Sequence, residues 1–212
     1  MKLPTATELG RRFARLTTNV VVRRPRLWRV FRWATRLQFD RLAPIWDTMR
    51  SPEHLAPFEQ ALEAIDQAPE RALDLGTGTG AAAFAIARRF PAAEVVGVDL
   101  SEGMLAEARR KTPPELAARV RFQQADGARL PFEDGAFQLV GLANMIPFFD
   151  ELERVIAPGG WAVFSFSAGP ETPIWVPPER LRHELAAVGF TDFADFRAGN
   201  GTALLARKAE PV

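Results

Sequence analysis

The sequence predicts an α/β fold, a doubly wound seven-stranded sheet with an antiparallel last strand, preceded by an N-terminal helical extension. Two observations predict it. From about residue 71, short apolar runs alternate with helical stretches of roughly 10–15 residues, which is typical of a parallel sheet covered by helices on both faces. The last two apolar runs are joined by the turn Ala198–Gly201, which is too short for a parallel crossover. We therefore expect these two strands to form an antiparallel hairpin at one edge.

The elements follow in order along the chain. Strands are predicted at Arg71–Gly76, Glu94–Leu100, Val120–Ala125, Phe137–Ala143, Trp161–Ser167, Thr191–Arg197 and Thr202–Arg207. Helices are predicted at Ala81–Arg89, Ser101–Lys111, Phe149–Ile156 and Glu179–Val188. Ser101 is a suitable N-cap, because its hydroxyl can accept from a free amide of the first turn. Pro158-Gly159-Gly160 predicts a sharp turn into the fifth strand.

Composition excludes several classes of protein and of site. The chain of 212 residues has no cysteine, so disulfides, thiolate nucleophiles and zinc–thiolate sites are excluded. With His54 and His183 as its only histidines, it predicts no metal site. No apolar run reaches the ~18–20 residues of a spanning helix, and no leader-like segment opens the chain. We therefore expect a cytoplasmic protein.

Charge divides the chain into two predicted parts, an N-terminal extension over residues 1–50 and a body over residues 51–212. Residues 1–41, here called the arm, hold eleven basic and two acidic residues, whereas the remaining residues carry a net charge of −8. Pro25–Trp46 is predicted to be helical, with apolar and arginine side chains on opposite arcs. The apolar arc holds Leu27, Val30, Phe31, Ala34 and Leu37, the opposite arc holds Arg29, Arg32 and Arg36, and Trp28 and Trp33 lie near the borders. The arm can dock on its own acidic body or on an anionic surface; we expect a lid over the body with at most transient membrane contact.

A glycine-rich loop is the most informative segment. In Leu73–Gly80 an apolar strand ends in glycines at alternate positions and continues directly into a helix. Glycine allows a ligand to approach the backbone, and a helix N-terminus offers free amides. Asp99 ends the next strand, at the same sheet edge, where its carboxylate can accept both hydroxyls of a ribose. The loop alone leaves a nicotinamide dinucleotide open, because Gly76-x-Gly78-x-x-Ala81 satisfies that pattern too.

Four segments together resemble one family. LDLGTGTG at 73–80, VVGVDLSEGML at 95–105, ADGARLPFEDGAFQLV at 125–140 and ERVIAPGGWAVF at 153–164 stand in the family's order and spacing. They resemble the class I S-adenosylmethionine-dependent methyltransferases, particularly the small type 11 group that includes quinone-biosynthesis methyltransferases. The likeness covers about residues 71–207. It implies a Rossmann-like fold, S-adenosylmethionine as cofactor and methyl transfer as the reaction.

The resemblance also implies roles for individual residues. Gly76 and Gly78 would approach the methionine and ribose parts of the cofactor beside Thr77, with Asp74 ordering the loop or the amino group. Asp99 would hold the ribose hydroxyls. The adenine would lie between Leu100 and Met104, with Asp126 accepting from its amino group beside Gly127 or Ala128. Asn144 would lie where the chain passes the sulfonium. The segment Phe39–Asp47 resembles the family's N-terminal signature, although Phe39 stands where tyrosine is frequent.

The sequence leaves the catalytic residues unassigned. It shows no general base apart from the two histidines, which qualify by residue type only. Met145–Phe149 and Trp175 predict an apolar acceptor pocket, which favours a small hydrophobic or aromatic acceptor over a nucleotide.

Three other functions stay open at this level. They are an NAD-dependent oxidoreductase, a non-catalytic S-adenosylmethionine-binding protein and a nucleic-acid-binding module suggested by the basic arm. Against the last, no stacking aromatics alternate with basic residues on the body, so we expect no nucleic-acid partner. The sequence does not determine the oligomeric state.

Overall fold

A seven-stranded sheet forms the centre of the protein, in a computed structural model that describes residues 6–51 and 53–210. Its strands are β1 (Arg71–Leu75), β2 (Glu94–Asp99), β3 (Val120–Gln124), β4 (Phe137–Ala143), β5 (Ile156–Phe166), β6 (Phe190–Ala198) and β7 (Gly201–Lys208). They lie in the order β3-β2-β1-β4-β5-β7-β6. Strands β1 to β5 pair in parallel, and β7 pairs antiparallel with β5 and β6. The predicted fold class, including the antiparallel edge hairpin, is confirmed.

Seven α-helices surround the sheet in the described residues. They are α1 (Ala6–Arg23), α2 (Trp28–Leu42), α3 (Ala56–Glu63), α4 (Ala81–Arg89), α5 (Glu102–Lys111), α6 (Phe149–Val155) and α7 (Pro178–Ala187). Helices α3 and α4 contribute Phe58, Leu62 and Ile86 to one buried cluster on the sheet, and α6 and α7 contribute Leu152, Leu181 and Leu185 to another. Ser101 caps α5 by accepting from the amide of Met104 at 3.1 Å, as its residue type predicts.

The start of β5 differs from the prediction. Helix α6 ends at Val155, and β5 begins at Ile156, so Pro158-Gly159-Gly160 lies inside the strand instead of before it. The pairing of β4 with β5 shifts register between Phe137 and Leu139, which accommodates the extra residues as a bulge. The sharp turn predicted before the strand is therefore wrong, because β-pairing on both sides of the bulge extends the strand.

The N-terminal extension contains two helices where the sequence predicted one. Helix α1 was not predicted, and the expected helix over Pro25–Trp46 divides into a 3₁₀ turn, helix α2 and a second 3₁₀ segment, Ala43–Met49. The predicted apolar arc is also wrong in part, because Val30 is 65% exposed whereas Trp28 is buried. The buried face of α2 is therefore rotated relative to the predicted arc, because α2 packs against both α1 and the body. No helix among the described residues is long and apolar enough to cross a membrane.

Candidate cofactor and acceptor site

The glycine loop connects β1 to α4 through a backbone that only glycine adopts readily. Gly76 has a φ of +76°, in the left-handed region. A side chain there would also collide with Met145, because a Cβ atom built on Gly76 would lie 2.6 Å from its sulfur. The loop therefore exposes its backbone to the space in front of the sheet edge.

Asp99 lies beside this loop because β1 and β2 are parallel neighbours, with Leu75 paired to Val98. Its Oδ2 accepts from the amide of Gly78 and its Oδ1 from the amide of Ser101, both at 2.9 Å. Burial raises the pKa of Asp99, against the lowering effect of these hydrogen bonds. Each carboxylate oxygen keeps a further acceptor position. Asp99 can thus accept two hydroxyls of one ligand.

Asp74 lies beneath the loop and is fully buried. The hydroxyl of Thr77 donates to its Oδ2 at 2.6 Å, while its Oδ1 has no hydrogen-bond partner among the described residues. Burial raises the pKa of Asp74 to about 6. The hydrogen bond between Thr77 and Asp74 therefore stabilises the loop on its buried side.

A cavity lies in front of the loop, with about 710 Å³ of empty space when the part open to solvent is included. The predicted residues that line it are Gly76, Gly78, Asp99, Leu100, Met104, Gly127 and Asn144. Asp74, Thr77, Asp126 and Ala128 do not line it. The structure thus brings most of the predicted site residues to one cavity. Asp126, the residue expected to accept from the adenine amino group, is not among them.

Asp126 faces the N-terminal extension instead of the cavity. The indole Nε1 of Trp28 donates to its Oδ1 at 2.6 Å, and the guanidinium of Arg32 lies 3.5 Å from its Oδ2. Trp28 itself lines the cavity and packs edge-on against Phe148 at 5.6 Å between ring centroids. The tryptophan side chain therefore stands between the cavity and the Asp126 carboxylate.

Asn144 has an unusual backbone for a residue other than glycine, with a φ of +56°. Its Oδ1 accepts from the amide of Ser167 at 3.0 Å, and its own amide donates to the carbonyl of Ser165 at 2.8 Å. These bonds hold a strained conformation at the end of β4, beside the cavity.

The predicted acceptor segment is divided by the structure. Met145 and Ile146 line the cavity, together with Ile174 from the proline-rich loop. Phe149, the first residue of α6, is instead buried in the core, and Trp175 packs against that same cluster. The apolar wall is therefore smaller than the sequence predicted.

The N-terminal extension completes the cavity. Its lining residues from this part of the chain are Trp28, Thr35, Phe39, Trp46 and Arg50. Phe39 and Trp46 stack edge-on at 5.4 Å between centroids. Thr35 and Arg50 were missed, since neither carries a spacing signal that ties it to the glycine loop.

Two carboxylates of the extension attach it to the body. Asp40 accepts from the hydroxyl of Ser101 at 2.6 Å and from the amide of Gly103 at 3.1 Å, at the N-terminus of α5. Burial opposes ionisation of Asp40, but these bonds and Arg36 lower its pKa overall. Asp47 accepts from the hydroxyl of Thr79 and from the ammonium of Lys111, both at 2.6 Å. The extension is thus hydrogen-bonded both to the glycine loop, at Thr79, and to the two ends of α5.

Arg50 is the cation nearest this loop among the residues that line the cavity. Its guanidinium lies 4.7 Å from the centre of the Trp46 ring. Burial lowers the pKa of Arg50, and three nearby carboxylates oppose that shift. They belong to Asp47, Asp74 and Asp99.

Neither histidine lines the cavity. His54 bonds the carbonyl of Ser51 through Nδ1 at 2.8 Å and lies 3.3 Å from Arg50 through Nε2. Burial and the charge of Arg50 lower the pKa of His54. Among the described lining residues, Asp99 and Arg50 are therefore the only ones with ionisable side chains.

Comparison with known proteins identifies the family. Residues 72–160 match the family model described as a methyltransferase domain. The ubiquinone/menaquinone biosynthesis C-methyltransferase of Syntrophotalea carbinolica is 34% identical over 183 residues, which cover 77% of this chain and 75% of that protein. The chain belongs to the class I S-adenosylmethionine-dependent methyltransferases. This membership favours S-adenosylmethionine over the dinucleotide that the glycine loop alone left open.

Other relatives match over shorter regions. The demethylmenaquinone methyltransferase of Thermus thermophilus is 48% identical over 104 residues, covering 46% of this chain and 47% of that protein. The malonyl-[acyl-carrier protein] O-methyltransferase of Halorhodospira halophila is 41% identical over 120 residues, covering 53% and 40%. The match thus spans about half the length of these two relatives. The crystal structure of a SAM dependent methyltransferase from Aquifex aeolicus superposes with a TM-score of 0.65 at 16% identity, covering 78% of this chain and 97% of that chain.

Proposed function

We propose that this protein transfers a methyl group from S-adenosylmethionine to a small apolar acceptor with a quinone-type ring. The observation that carries the proposal is one cavity whose lining combines Asp99 and the glycine loop with the apolar side chains of Met145, Ile146 and Ile174. A cofactor with a ribose and an amino-acid tail suits the polar lining residues, and a flat hydrophobic ring suits the apolar ones. The names of the relatives from Thermus and Syntrophotalea support a quinone-type acceptor.

The residues present fit the cofactor. The free acceptor positions of Asp99 suit the ribose diol, and the open backbone at Gly76 and Gly78 suits close approach. Leu100 and Met104 supply apolar walls for the adenine. The Arg50 guanidinium would pair with the carboxylate of the methionine part, which would also balance its buried charge. Asp126 would meet the adenine amino group only when Trp28 releases its hydrogen bond.

S-adenosylmethionine supplies an electrophilic methyl group on a sulfonium, which becomes a thioether when the acceptor takes the methyl group. The protein's own contribution is alignment of donor and acceptor, which can lower a barrier by roughly 7–11 kcal/mol. Trp28, Phe39 and Trp46 would exclude water from the reacting atoms. Asp99 would hold the ribose, and no other carboxylate and no imidazole lines the cavity, so no lining residue would take a proton from the acceptor. An acceptor with an acidic ring hydroxyl suits such a site, because it can release its proton to water before the ring reacts.

Calorimetric titration tests the cofactor first. We expect micromolar binding of S-adenosylhomocysteine and no measurable binding of NAD. Tighter binding of NAD would show that the cofactor assignment is wrong.

Methyl transfer is the second measurement. The protein is incubated with methyl-labelled S-adenosylmethionine and the reduced form of a short-chain demethylmenaquinone analogue, with the Asp99→Ala variant as control. Label is expected in the acceptor only with the unaltered protein. Binding of S-adenosylhomocysteine without transfer to any quinone-type ring would favour another acceptor or a non-catalytic role.

A further inference from the structure

The N-terminal extension carries all the large apolar side chains that are more than half exposed among the described residues. They are Leu9, Leu16, Val30, Trp33, Ile45 and Met49. Trp33 is 72% exposed and Val30 is 65% exposed. Soluble monomers scatter such residues singly, so their concentration on one short segment indicates a contact surface.

Helices α1 and α2 pack side by side, with Phe13 and Phe31 6.2 Å apart between ring centroids. The inner face of this pair meets the body through the buried Val21 and Trp28. Leu9 and Leu16 lie two turns apart on one side of α1, and Val30 and Trp33 lie one turn apart on α2. These four exposed residues are here called the outer face. Docking on the body buries other residues of the same two helices, so it leaves the outer face free for contact with another surface.

Exposed arginines lie on the same helix pair, and Arg29 is one helical turn from Trp33. Arg23, Arg24, Arg26, Arg29 and Arg41 are exposed and form no ion pair with any residue that the structure describes. Arg32 and Arg36, by contrast, pair with Asp126 and Asp40. The helix pair thus offers unpaired positive charge next to exposed aliphatic and indole side chains.

We propose that the outer face binds reversibly to the interface of an anionic phospholipid bilayer, with α1 and α2 lying in the headgroup region. Leucine, valine and tryptophan would enter the boundary of the acyl chains, and the arginines would meet lipid phosphates. Because α2 also contributes Trp28, Thr35 and Phe39 to the cavity wall, binding would bring the site next to the bilayer. An apolar acceptor partitions into the bilayer, so this part of the inference rests on the proposed function. Binding of the protein to vesicles does not depend on the acceptor and can be tested separately.

Two other occupants fit the outer face less well. A second copy of the chain in a two-fold contact would bring the unpaired arginines of both arms together, and like charges repel. A nucleic acid would satisfy the arginines but leave Leu9, Leu16 and Val30 without an apolar partner. A bilayer interface satisfies both kinds of side chain at once.

Co-sedimentation with vesicles tests the proposal on the full-length protein. We expect sedimentation with vesicles of phosphatidylcholine containing about one third phosphatidylglycerol at physiological salt, and little with phosphatidylcholine alone. Trp33→Ser should weaken the binding several-fold. The double substitution Arg26→Glu and Arg29→Glu should weaken it by about thirtyfold or more, since each charge near an anionic membrane contributes about a factor of five.

The matched control is Arg88→Glu with Arg121→Glu, which makes the same change of net charge at exposed positions of the body. It should sediment like the unaltered protein, and every variant should bind S-adenosylhomocysteine equally well. No sedimentation with anionic vesicles, or an equal loss in the control pair, would overturn the proposal. Dimerisation abolished by Trp33→Ser would assign the outer face to a second copy. Oligonucleotide binding lost with the arm arginines and retained in Trp33→Ser would assign it to a nucleic acid.

Discussion

At the scale of single residues, two carboxylates near the strand ends have very different surroundings. Asp99 lines the cavity with acceptor positions to spare, whereas Asp126 is engaged by Trp28 and Arg32. Asp99→Ala should therefore weaken S-adenosylhomocysteine binding more than Asp126→Ala does. For Asp99→Ala, the loss of two hydrogen bonds at about 1.5–3 kcal/mol each predicts a dissociation constant at least about a hundredfold larger. For Asp126→Ala we expect an increase of about tenfold.

Calorimetry of both variants measures this difference, with thermal unfolding as the control for folding. Asp99→Asn keeps one acceptor oxygen and should lie between the two alanine variants in stability and affinity. Equal affinities for the unaltered protein and Asp99→Ala would place the ligand elsewhere.

Asp74 should make stability depend on pH. Its folded-state pKa of about 6 lies above the ordinary 3.8, so its contribution to stability is fully present below about pH 4 and lost as pH rises through about 6. At 1.36 kcal/mol per pKa unit, the loss amounts to about 3 kcal/mol. The Asp74→Asn variant cannot ionise at this position and escapes that loss. The free energy of unfolding of the variant should therefore rise relative to that of the unaltered protein between pH 4 and pH 7. Urea unfolding at a series of pH values measures this gap, and a constant gap would disprove the assignment.

At the scale of elements, the approach of α3 to the sheet depends on a glycine in β4. A Cβ atom built on Gly141 would lie 2.7 Å from Cζ of Phe58, which is fully buried. Gly141→Ala should therefore destabilise the fold by about 1–3 kcal/mol through overpacking. Adding Phe58→Leu makes room, so the double variant should lose less stability than the two single changes added together. Denaturant unfolding of the three variants gives the coupling, and strict additivity would contradict it.

Also at this scale, the lid role of residues 1–50 remains our proposal. The structure shows Asp40 and Asp47 bonded to the body, and Trp28 and Thr35 in the cavity wall. Deleting residues 1–36 removes Trp28 and Thr35 from the cavity wall and should weaken S-adenosylhomocysteine binding by about tenfold or more. A tenfold change in the dissociation constant corresponds to about 1.4 kcal/mol, and burial of one large aromatic side chain contributes more than that.

Trp28→Phe is the companion to this truncation. It keeps an aromatic wall but removes the donor to Asp126, so it should bind the ligand at least as well as the unaltered protein. An unchanged dissociation constant after truncation would rule out the lid.

At the scale of the whole molecule, the charge division of the chain acquires a structural meaning. The arm lies on the acidic body through Arg32 and Asp126, and through hydrogen bonds from Arg11 and Arg15 to the carbonyls of the proline-rich loop. Arg23, Arg24, Arg26, Arg29 and Arg41 are exposed and form no ion pair with described residues. One basic segment thus contributes to the cavity wall and also carries exposed arginine and apolar side chains.

The sequence by itself determined the sheet, its antiparallel edge and the position of Asp99 beside the glycine loop. These follow from local rules: periodicity marks the strands, a short turn forbids a crossover, and parallel neighbours end at the same edge. The same rules placed Gly76 and Gly78 beside Asp99, and the family resemblance placed Leu100 and Met104 at the same cavity, where the structure finds them.

Only the tertiary structure decided which residues of the N-terminal extension enter the site. Trp28 and Asp126 are 98 positions apart, and their hydrogen bond depends on how α2 lies on the body. The same docking exposes Val30, buries Trp28 and brings Arg50 to the glycine loop. Amphipathic periodicity shows that a helix has an apolar face, but it does not show which part of that face meets the body. That choice is made by packing between distant segments, because the apolar surface and the partners of buried polar groups must be satisfied together.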